Sequence, residues 1–89
     1  MLLFLAHPMA DPLVTSFGRV VRQRREALAL SQEELGARTN LSRNYIGMVE
    51  RGETNPTLLV LRALAKALDT TMGALIADLE SDIGPDPKK

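Results

Sequence analysis

Apolar residues recur at helical rather than strand spacing along most of this chain. Phe17, Val20, Val21 and Leu28 stand at i, i+3, i+4 and i+11, one face of a helix, with Arg24 in the i+7 slot and Ser16 as N-cap. Ser31 caps a second helix from Gln32 to about Arg38, and Ser31 and Glu34 have the spacing of a capping box. Asn40 ends it, because asparagine tolerates a left-handed backbone. Ser42 caps a third helix that runs to Arg51 and stops at Gly52, burying Ile46 and Val49 with Leu41 stapling the entry. Asn55-Pro56 reads as a cap followed by proline at the first helical position, opening a fourth helix. Its stripe is Leu58, Leu61, Leu64, Ala65 and Leu68, which leaves Leu59 and Val60 in need of another cover. Thr71 opens a fifth helix with Met72, Leu75, Ile76, Leu79 and Ile83 on one side, and Gly84-Pro85 closes it. Residues 1–16 contain Pro8 and Pro12 and read as an irregular N-terminal arm, residues 17–83 as one domain, and residues 84–89 as a flexible tail. Five short helices with short links leave no room for a sheet, so the expected fold is all-α.

Composition narrows the picture. At 89 residues the chain makes one small domain, with 45% hydrophobic but only 3% aromatic residues, an aliphatic core that suits helices. Zero Cys rules out a disulfide scaffold and a thiolate metal site, and the lone His7 rules out a histidine-pair cage. No metal and no cofactor are expected. The longest apolar run, Met1–Ala6, is too short to span a bilayer and lacks a basic flank, which points to the cytoplasm. No glycine-rich phosphate loop, HExxH or paired-carboxylate arrangement occurs, so the chain is not read as an enzyme. The formal net charge of zero hides an asymmetry: residues 17–51 carry seven Arg against four Glu, and residues 52–89 carry four bases against six acids. Arginine suits phosphates and guanine edges, although a solvated helix face has the same composition.

The informative stretch is Gln32–Arg51, QEELGARTNLSRNYIGMVER. Two helices meeting at a sharp turn need a small residue at the crossing, met by Gly36, and a residue at ease in the left-handed region, met by Asn40. They need apolar residues facing the first helix, met by Leu35, Leu41, Ile46 and Val49. The second of them needs a short polar cap so that its N-terminus can enter a groove, met by Ser42. Together these features signal a helix-turn-helix.

With the Glu50-Arg51-Gly52 triplet, Ser31-Gln32 and Asn55-Pro56, the sequence resembles the phage-repressor (XRE, Cro-type) helix-turn-helix family over about Phe17 to Leu79. Tyr45-Ile46 and ERGxxNP make it similar to controller proteins of restriction–modification systems. The resemblance implies a compact, five-helix, lambda-repressor-like DNA-binding domain. Three residues depart from the family pattern. Ala29 and Asn40 stand where glycine is usual, and Gly36 replaces alanine, loosening its helix by about 1 kcal/mol.

Residue roles follow from the resemblance. Arg43 and Asn44 occupy base-reading positions, suited to guanine and adenine respectively. Met48 lies one turn on, offering a thymine-methyl contact or packing against a neighbouring chain, and Gly47 beside it permits close backbone approach. Gln32, Ser42, Tyr45, Arg51 and Asn55 fall at phosphate-contacting positions, although Tyr45 also fits a partly buried core edge. Arg25 and Glu50 match a structural pair joining the first and third helices. Arg19, Arg22 and Arg24 read as solvated.

The function implied is sequence-specific binding of double-stranded DNA by a transcriptional regulator, repressor or activator, acting as a homodimer on two half-sites. The rivals are an antitoxin-type DNA-binding partner of a toxin enzyme and a helical protein-interaction module without DNA binding. Leu59, Val60, Leu75, Ile76, Leu79 and Ile83 make more apolar surface than one short helix buries, which predicts a two-fold contact from the fifth helix and the end of the fourth. The alternative cover for that surface is the apolar segment Met1–Leu5.

Overall fold

Each helix starts on a short polar residue in extended conformation whose side chain accepts a backbone N–H two or three residues on. The computed structural model describes residues 11–85, arranged as α1 (Pro12–Ala27), α2 (Gln32–Thr39), α3 (Arg43–Glu50), α4 (Leu58–Ala67) and α5 (Met72–Ile83). Ser31, Ser42 and Thr71 cap α2, α3 and α5 as expected, and the capping box is complete: Glu34 N–H donates to Ser31 Oγ at 2.9 Å and Ser31 N–H to Glu34 Oε1 at 2.7 Å. That bond from the Ser31 backbone holds the Glu34 carboxyl below the usual range. The fold is all-α, as the pattern predicts.

Two helix starts differ from expectation. α1 begins at Pro12, not after Ser16: Asp11 Oδ1 accepts from Leu13 N–H at 2.8 Å, and proline at the first position loses no bond because that N–H has no partner in any helix. Residues 12–16 are therefore helical, and Ser16 is buried inside α1. The rest of the expected arm, residues 1–10, lies outside the described residues, as does the tail from 86 onward. α4 begins at Leu58 with Thr57 as its cap, so Asn55 and Pro56 belong to the preceding loop.

Phe17, Val20 and Val21 of α1 meet Leu35 of α2, Ile46 and Val49 of α3, Leu61 and Leu64 of α4, and Leu75 and Leu79 of α5 in one core. α1 crosses α3 so closely that a Cβ on Gly18 would stand 2.5 Å from the Val49 and Glu50 carbonyl oxygens. Leu28 and Leu58, expected on buried stripes, are exposed; Leu28 is the C-cap of α1, and Leu58 sits in the first turn of α4 at the rim of a groove.

The charge asymmetry of the sequence largely closes within the fold. Arg24 Nε donates to Asp78 at 2.6 Å, and Arg19 Nη2 donates to Asp82 at 2.8 Å and to Ser16 Oγ at 3.0 Å, tying the basic α1 to the acidic α5. Arg22 pairs with Glu26 one turn along. Arg19 and Arg22 are exposed, as expected, and Arg24 is half-buried; what spacing did not suggest is that all three are paired. Their partners lie 4, 54 and 63 residues away, and only packing α5 against α1 brings the two distant ones within reach. Among the described residues no helix is long and apolar enough to cross a membrane.

Candidate nucleic-acid interface

The α2–α3 turn closes on Asn40, which takes the left-handed conformation (φ 60°, ψ 32°) while Leu41 N–H donates to Gly36 O at 2.9 Å. Gly36 has no room for a side chain, since its Cβ would stand 2.6 Å from the Leu41 carbonyl oxygen. Glycine in place of the family's alanine therefore has a steric reason in this turn. Ala29 adopts φ 57°, so the α1–α2 link keeps a left-handed residue even without glycine.

α3 is held from behind. Arg25 donates to Glu50 through Nε at 2.6 Å and Nη2 at 3.0 Å, and its Nη1 donates to Leu30 O at 2.7 Å. The two side chains are 11% and 4% exposed, so this pair is interior, and the carboxylate pushes the Arg25 guanidinium further up from its ordinary value. The expected link between the first and third helices is present. Gln32 joins it: its Nε2 donates to Glu50 Oε1 at 3.0 Å, fixing the start of α2 to the end of α3. Half-buried and so occupied, Gln32 has one side-chain N–H left for any outside partner.

The outward part of α3 carries the base-reading candidates. Ser42 caps the helix by accepting from Tyr45 N–H at 3.0 Å, and Ser42, Arg43 and Asn44 are exposed in the first turn. Tyr45 is half-buried against the core, and Met48 is half-buried with its sulfur 3.9 Å from Asn44 Nδ2. Asn55 is exposed in the loop before α4. Of the seven arginines in residues 17–51, five are ion-paired, Arg38 donates to Ala67 O, and Arg43 is the one of these seven without a partner among the described residues; outside that stretch Arg62 on α4 has none either. A cation left unpaired at the start of an exposed helix is suited to an acceptor outside the chain.

Gly47 and Arg51 meet at the end of α3. Gly47 is buried, covered by the Arg51 guanidinium, whose Nη1 lies 2.9 Å from the place of a Gly47 Cβ. Its backbone is therefore screened in this conformation. Arg51 is in turn gripped by Glu53, Nε to Oε2 at 2.9 Å and Nη2 to Oε1 at 3.1 Å. This grip raises the guanidinium above its ordinary value and lowers the carboxyl below its own. Glu53 was missed because a partner two residues on, beyond the helix end, follows no helical period.

The expected contact surface is also redrawn. Leu75 and Leu79 are 0% and 7% exposed, consumed by the chain's own core, and Val60 is half-buried against it. Leu59 (68%), Ile76 (37%) and Ile83 (43%) remain outside, joined by Leu58 (75%). Leu59 and Val60 lie in the first turn of α4 rather than at its end. No group of three or more acidic, histidine or cysteine side chains is placed to hold a metal among the described residues.

A three-sided support for an exposed eight-residue helix, entered through a left-handed turn, defines a helix-turn-helix DNA-binding domain. Comparison with known proteins agrees. A helix-turn-helix family (HTH_3) matches residues 21–75. The control protein C.SmaI of Serratia marcescens is 50% identical over 56 residues, 63% of this chain and 67% of that one. The control protein C.MunI of a Mycoplasma species is 33% identical over 74 residues, 83% of this chain and 100% of that one. The crystal structure of the restriction-modification controller protein C.AhdI from Aeromonas hydrophila superposes with a TM-score of 0.68 at 42% identity, covering 70% of this chain and 94% of that one. The chain belongs to the XRE-type helix-turn-helix family, among its controller proteins. As such it is a sequence-specific helix-turn-helix transcriptional regulator.

Proposed function

We propose that the protein binds double-stranded operator DNA as a homodimer, each protomer laying α3 in the major groove. The observation that carries this is Arg43, exposed and without an ion-pair partner among the described residues, at the N-terminus of a helix locked from behind by Arg25, Glu50 and Gln32. Arg43 reads guanine O6 and N7, and Asn44 reads adenine. Met48 meets a thymine methyl. Ser42, Tyr45 and Asn55, with the remaining N–H of Gln32, hold phosphates. The relatives named above are control proteins, and by that likeness the operator belongs to a restriction–modification locus.

The dimer contact is formed by Leu59, Ile76 and Ile83, with Leu58 added, on α5 and the start of α4. It sets the two reading helices roughly 34 Å apart, one turn of B-DNA.

Selection of bound sequences from random oligonucleotides tests the reading. A symmetric site with half-sites one turn apart is expected. Arg43→Ala then costs about 1–3 kcal/mol on that site and relaxes one base position, whereas Asn55→Ala weakens all sequences alike. Equal losses for both variants on selected and random DNA would refute these roles. Sedimentation at micromolar concentration tests the dimer with Ile76→Asp and Leu59→Asp. Leu79→Asp is unsuitable, because Leu79 is buried in the protomer itself. A wild-type chain sedimenting as a monomer rules the dimer out.

A further inference from the structure

Arg43, Gly47 and Arg51 stand four residues apart and so share one stripe along α3 and its C-cap. Helical side chains lean toward their own N-terminus, and Arg51 lies back along this stripe toward Arg43. The missing side chain at position 47 is what gives it room. Its Nη1 and Cζ lie 2.9 Å and 3.7 Å from the place of a Gly47 Cβ. A guanidinium carries five N–H groups in a planar fork. Glu53 takes one from Nε and one from Nη2, at 2.9 Å and 3.1 Å. Left over is the far edge of the fork, Nη1, which lies over Gly47, with the second hydrogen of Nη2, the pair that meets two acceptors at once. Guanine presents two such acceptors, O6 and N7, in the major groove.

We propose that Arg51 reads a guanine edge rather than a phosphate, with Glu53 as the positioning residue that holds its fork in place. This assignment rests on the reading of α3 as the major-groove helix. The charge balance favours it. A cation meant for phosphate is weakened by a carboxylate that cancels its charge, and Glu53 would itself repel the DNA backbone. A base edge is neutral, so there the loss of net charge matters little and the fixed direction of the fork matters much. Glu53 is held below the ordinary carboxyl value by Arg51, so the grip is intact at neutral pH.

The test uses the full chain, its selected DNA site, every single-base variant of that site, and random DNA, each over a range of salt. Arg51→Ala is expected to lose discrimination at one guanine by about 5- to 140-fold, with the salt slope on random DNA unchanged. Arg51→Lys keeps the charge but not the fork, and is expected to lose the same discrimination. Glu53→Gln is expected to relax preference at that same guanine several-fold. Both side chains are exposed, so the variants fold, and melting curves confirm it. The assignment is overturned if Arg51→Ala weakens all sequences equally and flattens the salt slope by about 0.9, the signature of one lost phosphate contact. It is overturned equally if Glu53→Gln tightens every sequence alike without changing preference. A wild-type chain that selects no sequence removes the reading of α3 itself, and this assignment with it.

Discussion

Glu50 and Arg51 are neighbours in the chain, yet they belong to two arginine–glutamate pairs that face opposite ways. Arg25–Glu50 is interior, at 2.6 Å with side chains 11% and 4% exposed; Arg51–Glu53 is exterior, at 2.9 Å with side chains 55% and 43% exposed. Both are two-point grips of the same chemistry. Burial separates their uses. Inside, neither charge can be left alone, because an unpaired buried ion costs several kcal/mol. That makes Arg25–Glu50 a fixed strut between α1 and α3, with Gln32 as its third member. Outside, water can replace either partner, so Arg51–Glu53 contributes little to the fold and is free to serve a ligand. One end of α3 thus holds both its anchor and an exposed arginine–glutamate grip, one residue apart.

The largest expected effect is on the interior pair. Glu50→Ala leaves Arg25 buried without its carboxylate and should cost about 3–5 kcal/mol in denaturant unfolding. Replacing both residues, Arg25→Met with Glu50→Leu, should recover most of that loss, since no charge is then stranded. If Glu50→Ala unfolds at the wild-type denaturant midpoint, the pair is not the strut described here.

A smaller effect tests how the exterior carboxylates respond to acid. Glu34 and Asp82 both titrate below their ordinary values, held by the Ser31 backbone and Arg19 respectively. A lowered pKa means that the folded state binds its proton less readily than the unfolded one. The stabilisation is therefore present above the ordinary values of 4.5 for glutamate and 3.8 for aspartate, and fades as pH falls through the folded values. Melting temperature should hold steady from neutrality to about pH 5 and decline below it. Asp82→Asn should flatten part of that decline. A melting temperature that rises on acidification contradicts the sign.

How far the fold could be read from residues alone shows best at two dipeptides. Asp11-Pro12 and Asn55-Pro56 are the same local signal, a polar cap before proline. The first is a helix start and the second is not, because Thr57 stands just beyond Pro56 and caps α4 itself. Local chemistry allowed both outcomes, and the competition between two caps lay beyond either dipeptide. The α2–α3 unit was legible in full, since its cap, capping box, left-handed Asn40 and apolar positions are all short-range. So was Arg25–Glu50, but through family resemblance rather than spacing. What escaped depends on tertiary placement: Asp78 and Asp82 reaching α1, Leu75 and Leu79 spent in the core, Gly18 pressed against α3. Gly18 had left a trace, since Val14, Phe17, Gly18 and Val21 continue the apolar face at helical spacing.

The smallest expected effect sharpens the contrast at its exterior end. If burial alone separates the two pairs, Glu53→Gln and Arg51→Ala should leave the melting temperature indistinguishable from wild type at neutral pH. Exposed pairs gain modest Coulomb energy in water and spend side-chain entropy to hold their geometry, so the net is near nothing. Added salt should not distinguish these variants from the parent either, because it screens what little attraction remains. The same two proteins should differ from wild type only when DNA is present. That combination, silence in thermal unfolding and an altered base preference in binding, marks a residue placed for its ligand and not for its fold. A fall of several degrees in Arg51→Ala without DNA would mean instead that the guanidinium over Gly47 closes the C-terminal end of α3, and the two pairs would then be struts of one kind.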